Sequence, residues 1–484
     1  MNVGALAPVV PVLVATVSAV AALLVQVFSG SGARTRPATV ALLGLAAVAA
    51  TAASQGPAAA FGGVLLADPL AVYGTLLLAV LAAASTAAAR DLVVAETDTA
   101  EEYFALLLFA LVGMLIMVSA TELIVLFLGF ETMSIAVYVL AGVWRGDRGG
   151  NEAAVKYFLL GAFASAVMVY GIALVYSAAG STELGAVAGA LSATGPAALV
   201  LGVALVLVGF AFKIAAVPFH LWTPDVYQGA PTPVTLFMAT AVKAAAFIAL
   251  LRVFVVALVP LWAELGTVLW VLAAITMTAG NIAALRQRSL KRMLAYSAIA
   301  HTGYLLMGLA AVAASRSLAG ASALFFYLMA YAAMNTAAFT VLISVCSGRA
   351  GGDSLAGLSG LARRRPGLAM VMTLAMLSLT GFPPLAGFMG KFYLFAAVLE
   401  AGLTGLVVVA VINTVISAAY YLGVVRAMYF EEAPASLAGE GPARRPLLAI
   451  TTWAAALATV ALGLFPAPLL SLAEAVVASI GQGP

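Results

Sequence analysis

Charged residues are scarce in this chain of 484 residues, of which only 8% are charged and 64% are hydrophobic. Water-soluble domains carry about 25% charged residues. The composition therefore excludes a soluble globular protein and indicates one that is embedded in a lipid bilayer. The net charge of +3 is also too small to suggest that the chain binds nucleic acid.

Residues that hold cofactors are nearly absent as well. The single cysteine, Cys346, excludes an internal disulfide and cannot ligate an iron–sulfur cluster alone. The two histidines, His220 and His301, are too few to favour a haem or a zinc site. The sequence also lacks the GxGxxG dinucleotide fingerprint and the glycine-rich phosphate loop. We therefore expect that this chain itself holds no cofactor and no metal.

Apolar runs of about 20 residues, the length that crosses ~30 Å of hydrocarbon as a helix, are abundant. They predict an all-α polytopic membrane protein with fourteen transmembrane helices, near residues 5–28, 38–56, 66–88, 103–119, 121–143, 153–178, 195–229, 232–257, 262–284, 289–313, 318–346, 367–398, 402–429 and 447–475. The seventh and twelfth spans are too long for one straight crossing. Both contain helix breakers, namely Pro218 and the pair Pro383 and Pro384. Broken backbone within a bilayer is tolerated where it is buried in protein or lines a wet cavity.

Positive residues and the two breaks indicate the topology. Seventeen of the 22 lysines and arginines fall at alternate ends of the spans, which the positive-inside rule places in the cytoplasm. Both termini are therefore predicted on the outer side. The broken spans lie five helices apart and run in opposite directions, which is typical of inverted repeats. We expect one membrane domain, 1–484, with three helices in 1–100, inverted repeats in 101–258 and 259–431, and a last helix in 432–484.

Five ionisable residues are predicted near the middle of the bilayer. The helical rise of 1.5 Å per residue places Glu131, Lys243 and His301 about 15–18 Å deep, and Lys213 and Lys391 lie beside the two breaks. A charged side chain at this depth costs about 2.5–3.5 kcal/mol. These groups should therefore face a hydrated interior and interact, as in a proton pathway. A structural ion-pair network is the competing interpretation.

A mechanism follows from this placement as a hypothesis. Burial favours the neutral form of a lysine, and a nearby carboxylate favours the charged form. A Glu131–Lys213 pair would then hold a proton until the two side chains separate. Lys243, His301 and Lys391 would pass the proton on through nearby hydroxyls, for which we expect Tyr296, Ser297 and Thr302.

Other residues near the ends of the spans have simpler predicted roles. His220 and Asp225, which we expect to lie close together at the inner mouth, are candidates for proton uptake, for helix capping or for gating. Asp68 is predicted to cap the third span at the outer face. The positive belt of the inner face should include Lys291 and Arg292. Aromatic belts at the membrane surface should include Trp222, Trp262 and Trp270.

Four segments of the chain also carry a resemblance to a known family. They are VLFLGFETMSIAVYVLAG, GFAFKIAAVPFHLWTPDVYQGAPTPVTLFMATAVKAAAF, NIAALRQRSLKRMLAYSAIAHTGYLLMG and LSLTGFPPLAGFMGKFYLF. Together they resemble the subunit N family of the respiratory NADH–quinone oxidoreductase, complex I. The related subunits L and M and the Mrp antiporter subunits usually read WLP-A where this chain has WTPDVYQGAP, and this difference favours subunit N.

The resemblance implies a proton channel that includes Glu131, Lys213, Lys243 and Lys391. It also implies that flavin, iron–sulfur clusters and quinone lie in partner subunits. The expected partners are the antiporter-like subunit M, the small membrane subunits and the lipid of a bacterial cell membrane, without nucleic acid. Two alternatives are a secondary cation/proton antiporter of the Mrp type and a scaffold that conducts nothing. The WTPDVYQGAP segment argues against the first, and the line of buried ionisable groups argues against the second.

Overall fold

The computed structural model describes residues 3–29, 34–96, 100–193, 195–346, 353–433 and 445–480. Over these ranges the chain is almost entirely helical. Twelve of the described helices are long and apolar enough to cross a membrane. Each of two further crossings consists of two shorter helices that are separated by a break. The architecture is therefore the all-α polytopic one that the apolar runs predict.

The helices before the first break are α1 (Val10–Ser29), α2 (Arg36–Ala53), α3 (Pro69–Glu96), α4 (Ala100–Ser119), α5 (Leu123–Ala141), α6 (Arg148–Ala179), α7 (Leu184–Ala193) and α8 (Ala197–Lys213). Two short antiparallel strands, β1 (Ala58–Ala60) and β2 (Leu65–Ala67), connect α2 to α3. Helix α3 begins at a proline, which fits the first helical position. Asp68 caps this helix by accepting a hydrogen bond of 2.9 Å from the Ala71 N–H.

The later helices are α9 (Trp222–Gly229), α10 (Thr232–Phe237), α11 (Lys243–Val256), α12 (Trp262–Ala284), α13 (Leu290–Ser315), α14 (Ala319–Cys346), α15 (Leu355–Leu358), α16 (Leu361–Arg364), α17 (Pro366–Thr380), α18 (Ala386–Glu400), α19 (Thr404–Phe430), α20 (Pro446–Leu464) and α21 (Ala467–Ala478). Helices α10 and α11 form one span, because the π-helical residues Met238–Val242 join them directly. The prediction of one helix over 447–475 is wrong. Pro466 separates α20 from α21 because proline has no N–H to continue the helical ladder.

The span formed by α10 and α11 lies at the centre of the bundle together with α13. In the most apolar stretch of the α10–α11 span, 100% of the residues are buried, and in that of α13 94% are buried. In the corresponding stretch of α12, only 17% are buried. Small residues allow close crossings, as where Gly113 of α4 meets Gly129 and Met133 of α5. A Cβ at Gly113 would overlap the α5 backbone, so this crossing requires glycine.

Two crossings are interrupted inside the bundle. Residues 214–221, which include Pro218, separate α8 from α9. Residues 381–385, which include Pro383 and Pro384, separate α17 from α18. The last carbonyl groups of a helix have no partner within that helix. Each break therefore presents backbone acceptors to side chains within the protein.

Candidate functional site

Lys213 is enclosed at the first break, where it ends α8 and is only 2% exposed. Its Nζ donates a hydrogen bond of 2.8 Å to Ser134 Oγ on α5 and lies 3.5 Å from the Tyr157 hydroxyl on α6. The ring centres of Phe130 and Tyr138 are 4.9 and 5.5 Å from the same nitrogen, within range of a cation–π interaction. Hydroxyls and aromatic faces therefore surround this lysine.

Glu131 does not form the predicted ion pair with Lys213, although the structure describes both residues. The carboxylate is half-buried on α5 and accepts a hydrogen bond from Ser165 Oγ of α6. Lys213 instead bonds Ser134, which follows Glu131 by three residues on the same helix. The expected direct contact is therefore wrong, because a hydroxyl rather than a carboxylate faces the lysine. That hydroxyl can both donate and accept a hydrogen bond.

Lys243 is the first residue of α11 and is 3% exposed. Its Nζ donates to the Ala298 carbonyl at 2.6 Å and to Thr302 Oγ1 at 3.0 Å, both on α13. The Thr302 hydroxyl in turn donates to the Ile214 carbonyl at 2.6 Å. Ile214 directly follows Lys213. Two hydrogen bonds therefore connect Lys243 to the backbone of the first break.

His301 lies between two tyrosine hydroxyls and is 2% exposed. Its Nδ1 is 2.6 Å from the Tyr327 hydroxyl, and its Nε2 is 3.1 Å from the Tyr421 hydroxyl. Tyr421 also contacts Ser297 Oγ at 2.5 Å. A neutral imidazole donates through one nitrogen and accepts through the other, so either tautomer can be satisfied here. Of the predicted hydroxyls, Ser297 takes part in this cluster, whereas Tyr296, which is also described, does not.

Lys391 binds the end of the helix that precedes the second break. It lies on α18, is 4% exposed, and donates to the Leu379 and Thr380 carbonyls of α17 at 3.1 and 2.9 Å. The negative end of a helix dipole favours a cation at this position. The Tyr304 ring centre lies 4.8 Å from Lys391 Nζ and 5.7 Å from the His301 ring. Tyr304 thus fills the space between the histidine and the lysine.

A buried ion pair exists elsewhere in the bundle and differs in kind from these lysine sites. The Arg252 guanidinium donates to both carboxylate oxygens of Asp68 at 2.7 and 2.8 Å, and to the Val118 carbonyl at 2.9 Å. The two residues are 2% and 7% exposed. The sequence predicts the Asp68 cap at the outer face, but it does not predict the partner of that carboxylate, Arg252. The structure buries it, because Asp68 and Val118 supply partners for its donors.

Asp225 lies on the wall of a polar cavity of about 560 Å³, at the end of the bundle predicted to be inside. It accepts hydrogen bonds from Lys156 at 2.9 Å and from Arg292 at 2.6 Å. Arg292 therefore holds this carboxylate rather than only adding positive charge to a surface belt. His220 does not line the cavity and makes no hydrogen bond to Asp225, although both are described. His220 belongs to the break and Asp225 to α9, and these two described residues are not joined by a hydrogen bond.

The sequence did not predict the aromatic side chains that enclose the first break. Trp222, predicted at the membrane surface, is 3% exposed and stacks on Tyr157 with a centroid distance of 4.4 Å. Its Nε1 donates to the Phe212 carbonyl at 2.9 Å, which satisfies the free end of α8. Trp262 is likewise buried. The signal that could have identified Trp222 is its position one turn beyond Pro218 in the PFHLWTPD segment.

Comparison with known proteins places these features in a family. Residues 120–417 match the family described as NADH:quinone oxidoreductase/Mrp antiporter, transmembrane. The chain is 42% identical to the NADH-quinone oxidoreductase subunit N of Trichlorobacter lovleyi over 87% of each chain. It is 41% identical to subunit N 1 of Koribacter versatilis over 96% of this chain and 93% of that relative.

Two solved structures show the same fold. A chain of respiratory complex I from Thermus thermophilus with bound aureothin has a TM-score of 0.79 and 38% identity, covering 95% of this chain and 98% of its own. A chain of the Mrp complex from Dietzia has a TM-score of 0.82 but 22% identity, covering 100% and 98%, so that likeness concerns the fold alone. From the family match and these identities, the chain belongs to the NADH-quinone oxidoreductase subunit N family.

Proposed function

We propose that the chain translocates protons as a membrane subunit of an NADH–quinone oxidoreductase, along a path through Glu131, Lys213, Lys243, His301 and Lys391. The observation that carries the proposal is the surroundings of the three lysines. They are 2%, 3% and 4% exposed, and among the described residues their hydrogen-bond partners are hydroxyls and carbonyls. An ammonium group buried without a contacting carboxylate is poised to lose its proton.

The competing interpretation, a network that only fixes helix packing, fits these lysines less well. The described residues do include a buried structural ion pair, Asp68 with Arg252, in which two hydrogen bonds join the charges directly. Removing one partner of such a pair is strongly unfavourable, so its charge is fixed. None of the three lysines, all of which are described, has such a carboxylate contact. Their charge can therefore change during a transport cycle.

The proposed path uses the contacts in sequence. Proton uptake is assigned to the cavity around Asp225, with His220 of the break as a second candidate for proton entry. From Lys213, the link through Thr302 and Ile214 leads to Lys243. Beyond that lysine, the Tyr327 and Tyr421 hydroxyls around His301 extend the polar region. The Tyr304 ring then leads to Lys391. Glu131 adjoins the start of the path through Ser134 on the same helix.

Partner subunits would supply the driving reaction. Solved relatives include chains from respiratory complex I of Thermus thermophilus, which supports assembly of this chain into a multi-subunit complex. Electron transfer from NADH to quinone would occur in partners that carry the flavin and the iron–sulfur clusters. The proposed neighbours are the antiporter-like subunit M and the small membrane subunits. The proposed setting is the bacterial cell membrane, with both termini on the outer side and with inverted repeats in 101–258 and 259–431.

The test is NADH-driven proton uptake by the purified complex in liposomes, followed with a pH-sensitive dye. Lys213→Ala should lower proton uptake by at least about tenfold, the effect of ~1.4 kcal/mol on one transfer step. Arg286→Ala, which removes an exposed positive charge at the end of α12, is the matched control and should leave uptake unchanged. Equal uptake by the two variants would contradict the proposal. Exchange driven by a cation gradient, with no response to NADH, would instead identify a secondary antiporter of the Mrp type.

A further inference from the structure

We infer that Thr302 is a positioning residue that couples the charge of Lys243 to the conformation of the first break, and thereby to Lys213. The inference rests on the proposed function, because it concerns how two members of the proton path communicate. Beyond its place on that path, Thr302 has a second role that depends on its hydrogen bonds. It connects the side chain of one lysine to the backbone that follows the other.

Thr302 is fully buried on α13 and contacts three groups through one oxygen atom. Lys243 Nζ donates to this oxygen at 3.0 Å. The Ile214 carbonyl lies 2.6 Å away, and the Ala298 carbonyl of the same helix lies 3.1 Å away. The shorter distance indicates that the hydroxyl proton points to Ile214. The contact therefore runs from α11, through α13, to the end of α8.

A hydroxyl has one proton to donate and two lone pairs that accept. A charged lysine offers only protons, so it occupies a lone pair of Thr302 and leaves the hydroxyl proton free for the Ile214 carbonyl. A neutral amine also has a lone pair, which competes for that same proton. When Lys243 is neutral, the hydroxyl can turn towards it and release Ile214. The hydroxyl orientation thus follows the charge of the lysine.

The break is held at two points by the second half of the chain. Thr302 on α13 holds the Ile214 carbonyl, and Thr276 Oγ1 on α12 accepts a hydrogen bond of 3.1 Å from the Val217 N–H. Both threonines are fully buried. Only Thr302 also contacts a lysine. Releasing Ile214 would loosen the segment beside Lys213, while Thr276 keeps the rest of the break in place.

The neighbours of Lys243 support a response to charge. The Tyr331 ring of α14 has its centre 5.4 Å from Nζ, and His301 precedes Thr302 on α13. Lys213 lies one residue before Ile214. None of these residues, all of which are described, offers a carboxylate that would fix the charge of Lys243. Thr302 and Ala298 are its hydrogen-bond acceptors.

Hydrogen exchange of the intact complex in lipid nanodiscs, read by mass spectrometry on peptides that cover 212–221, tests the inference. Thr302→Val keeps the shape and removes the hydroxyl, whereas Thr302→Ser keeps the hydroxyl. Thr340→Val is the matched control, because this buried threonine bonds only carbonyls of its own helix. At rest, Thr302→Val should exchange about fivefold faster, the effect of one lost buried hydrogen bond. Thr302→Ser and Thr340→Val should match the unmodified complex.

A second measurement during turnover addresses the coupling itself. With NADH and quinone added, exchange of 212–221 in the unmodified complex should rise at least about twofold, whereas Thr302→Val should show no further rise. Two results would overturn the inference: resting exchange of Thr302→Val equal to that of Thr340→Val, or a normal turnover response in Thr302→Val. Neither result would touch the proposed function, which depends on proton uptake by Lys213→Ala.

Discussion

The buried ion pair between Asp68 and Arg252 can be tested by removing one charge at a time. Asp68→Asn is a precise change, because asparagine also caps a helix well and has nearly the same size. The hydrogen bond from the Ala71 N–H is therefore kept. What is lost is the negative charge opposite Arg252, whose side chain is 2% exposed.

The expected effect follows from this burial. An arginine left without its partner in a protein interior costs about 3–5 kcal/mol of folding free energy. Replacing the arginine as well, in the double variant Asp68→Asn with Arg252→Met, removes the unpaired charge. The double variant should then recover most of the loss. A loss of about 1 kcal/mol of folding free energy should remain, because the Val118 carbonyl no longer receives its 2.9 Å hydrogen bond.

The assay is the fraction of complex that stays soluble and assembled after heating, measured by size-exclusion chromatography of a fluorescent fusion. The order of midpoints should be the unmodified complex, then the double variant, then Asp68→Asn. If the double variant were less stable than Asp68→Asn, the loss would not come from an unpaired charge.

Two further changes test packing and the histidine cluster. Gly113→Ala should destabilise the bundle by about 1–3 kcal/mol because its Cβ would overlap the α5 backbone. Gly423→Ala, with open space around it, should be neutral or stabilising by up to about 1 kcal/mol. The heating midpoints of the two variants, measured on the same fluorescent fusion, make the comparison. Tyr421→Phe removes a hydroxyl that contacts His301 Nε2 and Ser297 Oγ. It should lower NADH-driven proton uptake about fivefold, and the heating midpoint should fall only by the effect of about 1 kcal/mol for a lost hydrogen bond. Unchanged uptake would exclude Tyr421 from the path.

The sequence predicts the fold well because the constraint of the bilayer is strong. Each crossing must be a helix of sufficient apolar length, so composition and length alone indicate the spans. The prediction failed at 447–475, where the apolar run continues through Pro466 and conceals the end of a helix. It also missed the partner of Asp68, because 184 residues separate it from Arg252.

The candidate site was predictable only at the level of residue types. The free-energy cost of placing a charged side chain within the bilayer singles out the lysines and the histidine, because such residues are rare in membrane spans. The partners of each group depend on how helices rotate against one another, and a single sequence does not contain that information. For this reason the sequence predicted a Glu131–Lys213 contact, whereas the α5 register presents Ser134. The tyrosines around His301 gave no signal, because aromatic residues are common in apolar helices.

The π-helical turn Met238–Val242 determines where Lys243 points. An α-helix advances 100° per residue, and a π-turn accommodates one extra residue without unwinding the helix on either side. The rows of side chains before and after this turn are therefore rotated relative to each other. The Thr235 hydroxyl, near the start of the span, donates a hydrogen bond of 3.1 Å to the Tyr227 carbonyl, while Lys243 faces α13. If the same residues formed an uninterrupted α-helix, the extra residue would rotate the lysine by about 100°, so the π-turn is what allows Lys243 to face α13.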